Sequence, residues 1–587
     1  MIYERNGTLT IIESETGSGK TEAAIDYFFQ LRSKGLVDRL YFALPSRTSA
    51  AQIYGRVRKA VSSHLGRFAP VVLAVPGYLS KETGKTETAE VPSGLGDSGE
   101  DDVESWFSRT SKRYLSSPVA VGTIDQVLMS VLTLKYQTMR WASLGRTLIV
   151  VDEVHASDAY MGQLLKAVLK RHVNRGGHCL LMSATLGSSL ADSLLAQAGH
   201  MTMPSDDLET YLKRPYPVVH HYDGRNYSIK KIPSAGAQKV VAVSTIPIID
   251  SPEQIAQLAK LHYSRGAKVL VIRNSVQGCL DVHRLLETDP EVGPNGLMQT
   301  RPGVAAPHHG RYASSDRFEL DQAVEAAFGM ESDSRPVILC ATQTVEQSLD
   351  IDADIVITDI CPIDVLLQRI GRLHRHEGKS GRVATRAEGY SQAQVIVLTP
   401  TECVTNYVRK PGNGIGKNRA YDDVRIIYLT LKLLEERETL TIPADNRELV
   451  ELATNDLAFA RLEAENEFMS DHAREYIGKI LAERTLANEN LADFGWQYGD
   501  APQLNDEDVH VSSRLGARDI VVMLDKPLKS SHGAIISEIK IPFWMINGKN
   551  FVDSDICVNN HGDGEALFEL FGKKFQYGQC GLEVINQ

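Results

Sequence analysis

"TLTIIESETGSGKTEAAIDYFF", residues 8–29, decides the fold. Its opening, Thr8 to Ser14, is a short β-rich run. The stretch that follows, "KTEAAIDYFFQLRSKG", has helical spacing and stops at Gly35, a natural helix terminator. Strand, glycine turn and helix in that order make a phosphate-gripping loop. Gly17 and Gly19 let backbone N–H groups close around phosphate oxygens, with Thr16 and Ser18 between and beside them. Lys20 is placed to reach the β- and γ-phosphates, and the Thr21 hydroxyl to hold Mg²⁺. ATP with Mg²⁺ is therefore the implied cofactor. One position departs from the GxxxxGK[ST] pattern: Ser14 stands where the first glycine is usual.

The partner carboxylates follow in "RTLIVVDEVHASDAYM", residues 146–161. "TLIVV" reads as a buried parallel strand. Asp152 and Glu153 stand at its carboxyl end, where an open α/β sheet binds its ligands. Asp152 is the expected Mg²⁺ acid, and Glu153 the expected activator of the attacking water. His155 is placed to couple this site to the next strand, "LLMSAT", whose Ser183 and Thr185 form a polar hinge.

The second half repeats the pattern without a phosphate loop. "KVLVIRN" (268–274), "PVILCAT" (336–342), "DIVITDI" (354–360) and "QVIVLTP" (394–400) read as strands separated by helical stretches, a second α/β sheet. "LLQRIGRLHRHEGK" (366–379) places Gln368, Arg372 and Arg375 at i, i+4 and i+7, one face of an expected helix. Arginines so placed suit a finger offered to the γ-phosphate across a cleft. A solvated basic face is the default elsewhere, but here every other part of a nucleotide site is already supplied.

Composition sets bounds on the rest. The chain has 587 residues, which implies several domains. Its 43% hydrophobic and 23% charged residues are ordinary for a globular protein. No run approaches the roughly 18 apolar residues of a membrane span. The N-terminus lacks signal-peptide character, and the seven cysteines form no CxxC pair, so no membrane association and a cytoplasmic location are expected. A net charge of −11 gives no global nucleic-acid signature, yet leaves room for a local basic channel.

The ordered set TGSGKT (16–21), DEVH (152–155), SAT (183–185) and QRIGRLHR (368–375) resembles a superfamily 2 helicase of the DExH type. More narrowly it resembles the helicase of CRISPR type I interference. That finer resemblance rests on "VGTIDQVL" (121–128), "VDEVHASDAYM" (151–161), "TQTVEQSLDIDAD" (342–354) and "LLQRIGRLHRH" (366–376). "SRLGARDIVVML" (513–524) is most similar to the type I-E branch. The resemblance implies an α/β fold of two tandem RecA-like parallel-sheet domains, a helical linker and a small β-rich C-terminal domain. The expected boundaries are 1–235, 236–404, 405–490 and 491–587.

It further implies ATP-driven 3′→5′ movement on single-stranded DNA after recruitment to a Cascade R-loop. By position, Pro45, Ser46, Arg47, Gly122 and Thr123 would be the first domain's DNA contacts. Arg273, Asn274 and Thr342, with His309 and Arg311 beside them, would be those of the second. Gln347, Ser348 and Asp350 belong to the family's coupling motif, with Asp350 expected nearest the nucleotide. The family carries an HD nuclease ahead of the phosphate loop. Here about ten residues precede the first strand and no His-Asp dipeptide occurs, so cleavage is expected from a separate HD protein or domain. Two other readings stay open: a DExH ATPase that remodels RNA, and an ATP-gated recruitment module that does not translocate. Residues 80–112, poor in apolar side chains, read as a mobile insertion, residues 211–231 as a bridge between the sheets, and residues 422–490 as helical and acidic.

Overall fold

A computed structural model describes residues 7–65, 70–75, 114–156, 158–201, 205–233, 238–346, 349–377, 385–492, 520–546, 557–561 and 564–585. The insertion read at 80–112, Gln347 and Ser348 lie outside them.

The first sheet contains β1 (Thr8–Glu13), β2 (Arg39–Leu44), β3 (Val71–Ala74), β4 (Val119–Thr123), β5 (Thr147–Val151), β6 (His178–Ser183), β7 (Val218–Tyr222) and β8 (Tyr227–Lys231). Their order is β3-β4-β2-β5-β6-β1-β7-β8. The six strands from β3 to β1 run parallel, and β7 and β8 add on antiparallel. Alternation along each strand feeds two cores. Leu9, Ile11, Tyr41, Ile149 and Val151 pack on one face. Leu40, Phe42, Leu148, Val150 and Leu180 pack on the other. A sheet covered on both faces explains the unbroken apolar runs of its central strands. Residues 211–231, read as a bridge, instead supply the edge strands β7 and β8.

The second sheet contains β9 (Lys239–Ile246), β10 (Lys268–Ile272), β13 (Val337–Ala341), β14 (Ile355–Asp359), β15 (Ala393–Leu398) and β16 (Thr439–Ile442). Between β10 and β13 a small hairpin joins β11 (Gln299–Arg301) to β12 (Val304–Ala305). The sheet order is β13-β10-β14-β15-β9-β16, parallel except for the antiparallel edge strand β16. The second domain thus runs past the expected boundary at 404. The helices Val424–Glu435 and Asn446–Thr454 bury Val424, Ile427, Leu434, Leu449 and Val450 in its core.

The helix Glu467–Asn490 returns to the first domain. Gln163 donates to Asn488 at 2.9 Å, Asn490 to the Tyr160 hydroxyl at 3.0 Å, and Arg171 to the Ala492 carbonyl at 2.7 Å. The C-terminal domain pairs β17 (Ile520–Lys529) with β18 (Ile535–Ile541). A four-stranded meander follows: β19 (Cys557–His561), β20 (Glu565–Leu570), β21 (Lys573–Gly578) and β22 (Gly581–Ile585). In "IPFWMI" (541–546) Ile541 ends β18, and Phe543–Ile546 is a short 3-10 turn. This domain docks on the second through buried Asp316, which accepts from the Ser530 and Tyr577 hydroxyls.

One buried ionic cluster joins the first sheet to the helix Asn446–Thr454. Arg447 donates to Glu13 at 2.6 Å and to Glu451 at 3.1 Å, and reaches the Leu186 carbonyl and the Ser188 hydroxyl, both at 3.2 Å. His220 meets the other Glu13 oxygen at 2.8 Å. Burial alone would raise the Glu13 pKa, but Arg447 and His220 together hold it below its ordinary value. Such a pair is costly to break from one side, because a charge is left buried alone. Arg447→Met is expected to cost about 3–5 kcal/mol of unfolding free energy at neutral pH in urea titrations. Because the folded pKa is lowered, the Glu13 contribution is present at neutral pH and fades as pH falls below about 4. A change within about 0.5 kcal/mol would show the cluster to be energetically idle.

Candidate nucleotide-binding site

The phosphate loop leaves β1 and enters the helix Lys20–Ser33. Gly17 and Gly19 take positive φ, 81° and 89°, which L side chains adopt only with strain. The loop is closed by a 2.7 Å hydrogen bond between the Ser14 and Ser18 hydroxyls. Ser14 therefore brings a polar tie to the position where glycine is usual. Lys20 donates to the Ser14 carbonyl at 2.7 Å and to the Glu15 carbonyl at 3.0 Å.

A cavity of about 380 Å³ opens over this loop. Thr16, Gly17, Gly19, Lys20, Thr21, Asp152 and Glu153 line it from the first domain, and Asp350, Arg372, Arg375 and His376 from the second. Asp152 directly follows β5, its N–H bonded to Ala43 of the neighbouring strand, and its carboxylate accepts from the Glu153 N–H at 3.0 Å. Burial first, and then the adjacent Glu153 charge, push its pKa up to about 7 against the pull of Lys20. A pocket that so disfavours a carboxylate charge is suited to a cation. Thr21 lines the same cavity, so the donor set fits Mg²⁺.

Glu153 adopts φ 51°, a strained angle for a side-chain-bearing residue. Its Oε2 is buried, accepts no hydrogen bond and lies 3.5 Å from His155 Nδ1. His155 then links three motifs. Nδ1 is 2.7 Å from the Ser183 hydroxyl, and Nε2 is 2.5 Å from the Gln368 amide nitrogen. Ser183 in turn accepts from the Thr185 N–H at 3.1 Å. The histidine thus touches Glu153, the end of β6 and the second domain.

The expected helical face for the arginines is not what forms. The helix Ile363–Ile370 ends before them, carrying only Gln368. Arg372 and Arg375 lie in the turns beyond. Gly371 packs against the loop: a Cβ there would stand 2.7 Å from the Thr16 hydroxyl. Arg372 donates to the Leu349 and Glu346 carbonyls while its Nε, buried, has no hydrogen-bond partner. Burial, followed by the nearby Arg375 charge, lowers its pKa to about 9, so an anion beside it would be strongly favoured. Arg375 Nε is 3.3 Å from Asp350, and Asp350 also meets His376 Nε2 at 2.8 Å.

The residues proposed for DNA divide sharply. Arg47 begins the helix Arg47–Leu65 with its side chain exposed, and Pro45 and Ser46 are half-buried before it. Pro45 also lines the nucleotide cavity. Arg273 is turned inward. It is 2% exposed, and its guanidinium is committed to Asp359 at 2.8 Å and the Ile249 carbonyl at 2.8 Å. Asn274, Thr342, Gly122 and Thr123 are also buried, and Asn274 Nδ2 is held by the Ile360 carbonyl. The sequence reading missed Ser49, Ile53 and Arg56, which line the cavity from one face of the helix Arg47–Leu65. Their i, i+4, i+7 spacing was the available signal. It also missed Arg369, fully buried and ion-paired with Glu346 at 2.7 Å.

This arrangement can be compared with known proteins. Residues 2–193 match the DEAD/DEAH box helicase model. Residues 265–378 match the model for CRISPR-associated nuclease/helicase Cas3, C-terminal. CRISPR-associated endonuclease/helicase Cas3 of Escherichia coli (strain K12) is 32% identical over 446 residues, covering 73% of this chain and 46% of its own length. The chain belongs to the Cas3 helicase family. The Cas3 of Thermus thermophilus is 30% identical over 485 residues, covering 76% of this chain and 49% of its own. The chain thus spans about half the length of these curated Cas3 relatives. A crystal structure of T. fusca Cas3 superposes with TM-score 0.69 at 26% identity, covering 88% of this chain and 57% of its own.

Two substitutions separate the roles at this site. Glu153→Gln is expected to leave ATP binding intact and to slow turnover by about 10²-fold or more. Arg375→Ala is expected to slow hydrolysis by about 10³-fold with little change in ATP affinity. Fluorescent-nucleotide binding and steady-state turnover on each variant check this. Turnover persisting in Glu153→Gln, or equal loss of binding and hydrolysis in Arg375→Ala, removes the residue from its role.

Proposed function

We propose that this Cas3-family helicase is an ATP-driven motor on single-stranded DNA, moving 3′→5′ in CRISPR type I interference after recruitment to a Cascade R-loop. The observation that carries the reading is the single cavity lined by the phosphate loop and two carboxylates of one domain and two arginines of the other. A nucleotide bound there would contact both sheets, and its hydrolysis would release one from the other. T. fusca Cas3 has been crystallised with ATP, at 25% identity and TM-score 0.67, which supports ATP as the nucleotide.

In the mechanism the loop N–H groups hold the phosphates, and Lys20 leaves the Ser14 and Glu15 carbonyls for the β- and γ-phosphate oxygens. Thr21 and Asp152 would hold Mg²⁺, which when bound neutralises charge between those phosphates. Glu153 orients the attacking water and accepts its proton, its carboxylate steadied by His155. Arg375 and Arg372 stabilise charge on the transferring phosphoryl group. The Gln368–His155 contact carries the state of that site to the Ser183–Thr185 hinge. Alternate closing and opening of the two domains then moves the strand.

We assign strand cleavage to a separate HD protein or domain. Among the described residues no group of three or more His, Cys, Asp or Glu side chains is arranged to hold a metal ion. Nor is any helix there long and apolar enough to cross a membrane. Steady-state ATPase with Mg²⁺ tests the proposal, comparing no nucleic acid, single-stranded DNA and single-stranded RNA. Strong stimulation by DNA, with the strands recovered uncut, is expected. Preferential stimulation by RNA would favour a remodelling ATPase. Cleavage by this chain alone would overturn the assignment of the nuclease.

A further inference from the structure

The C-terminal domain presents an aromatic side chain outward next to two buried residues of the same turn. In the 3-10 turn Phe543–Ile546, Met545 and Ile546 are 2% and 1% exposed, whereas Trp544 between Phe543 and Met545 is 64% exposed. The turn is held by Lys573, which donates to the Met545 carbonyl at 2.7 Å. The indole is therefore displayed from a fixed base.

Arg311 of the second domain lies over that indole, its guanidinium carbon 5.2 Å from the ring centroid. It is half-buried, its Nε has no hydrogen-bond partner, and among the described residues it makes no ion pair. The segment leading to it is fixed at the carboxyl rim of the second sheet. His308 donates its N–H to Cys340 at 2.8 Å and accepts from the Thr342 N–H at 3.0 Å. The C-terminal domain closes on the other side: Leu582 donates to the Arg311 carbonyl at 2.8 Å, and a Cβ on Gly581 would stand 2.8 Å from that oxygen.

A guanidinium that makes no ion pair among the described residues, with Glu583 within electrostatic reach, beside an exposed indole matches the chemistry of a nucleotide unit. The flat indole offers a stacking face to any base, and the guanidinium offers its fork to the adjoining phosphate. We propose that Trp544 and Arg311 form a base-stacking and phosphate-binding platform for single-stranded DNA, shared between the C-terminal and second domains. The proposal rests on the reading of the chain as a single-strand motor. It gives the C-terminal domain a direct part in gripping the strand, independent of base identity.

The test is fluorescence anisotropy of the full chain with a labelled oligothymidine, at one stated salt concentration, on wild type, Trp544→Ala, Trp544→Phe and Arg311→Ala. Trp544→Ala is expected to weaken binding by about tenfold with an unchanged melting temperature. Trp544→Phe, which keeps a stacking face, is expected to stay within about twofold to threefold of wild type. Oligothymidine should also quench wild-type tryptophan emission, and that quenching should fall in Trp544→Phe even where affinity is kept. Arg311→Ala should weaken binding and flatten its salt dependence. Wild-type binding with unchanged affinity in Trp544→Ala, or quenching unchanged in Trp544→Phe, overturns the platform alone. Failure of the wild type to bind oligothymidine overturns the motor reading and the platform with it.

Discussion

Glu13 closes the first strand immediately before the phosphate loop, and Arg447 meets it from a helix 434 positions later in the chain. Both are buried, so neither charge is tolerable without the other. The same guanidinium holds the Leu186 carbonyl and Ser188, just beyond the Ser183–Thr185 hinge. Its helix packs in the core of the second domain, behind edge strand β16. One desolvated ion cluster therefore ties the root of the phosphate loop, the hinge strand and the second sheet into a single arrangement.

That arrangement concentrates opposed charges in a small cavity. Asp152 and Glu153 crowd one another, as Arg372 and Arg375 do, and burial worsens both pairs. Lys20 and Asp350 offset this only in part, and a magnesium nucleotide would supply more: cation for the carboxylates, phosphate for the arginines. The site's electrostatic strain is thus directed at its ligand. His155 makes the strain communicable, since it touches Glu153, Ser183 and Gln368 through its two ring nitrogens. Through it Glu153 is in contact with residues on both sides of the cleft.

Much of the lining of the cavity was legible in the sequence because its parts are local. Lys20 and Thr21 follow the glycines directly, and Asp152 and Glu153 follow an apolar strand. Arg372 and Arg375 line the cavity too, but from turns where a helix was expected. Gly371 ends the helix early so that the turn can approach Thr16, and periodicity cannot show a contact made with another domain. What was not legible depends on distant partners. Glu13 and Arg447 carry no local signature, and neither does Arg273, whose rim position suggested DNA until Asp359 appeared beside it. Strand β16 was hidden because "TLTI" is short and set among acidic helical stretches, where its pairing with β9 leaves no trace in spacing.

The central claim is that closure across this cavity becomes movement along a strand, and streptavidin displacement measures that most directly. Oligothymidines carrying biotin at the 5′ or the 3′ end are bound by streptavidin and offered to the full chain with ATP and Mg²⁺. The account predicts ATP-dependent release from the 5′ end, little from the 3′ end, and none in Glu153→Gln. DNA-stimulated hydrolysis without release from either end would contradict it, leaving an ATP-gated clamp in place of a motor.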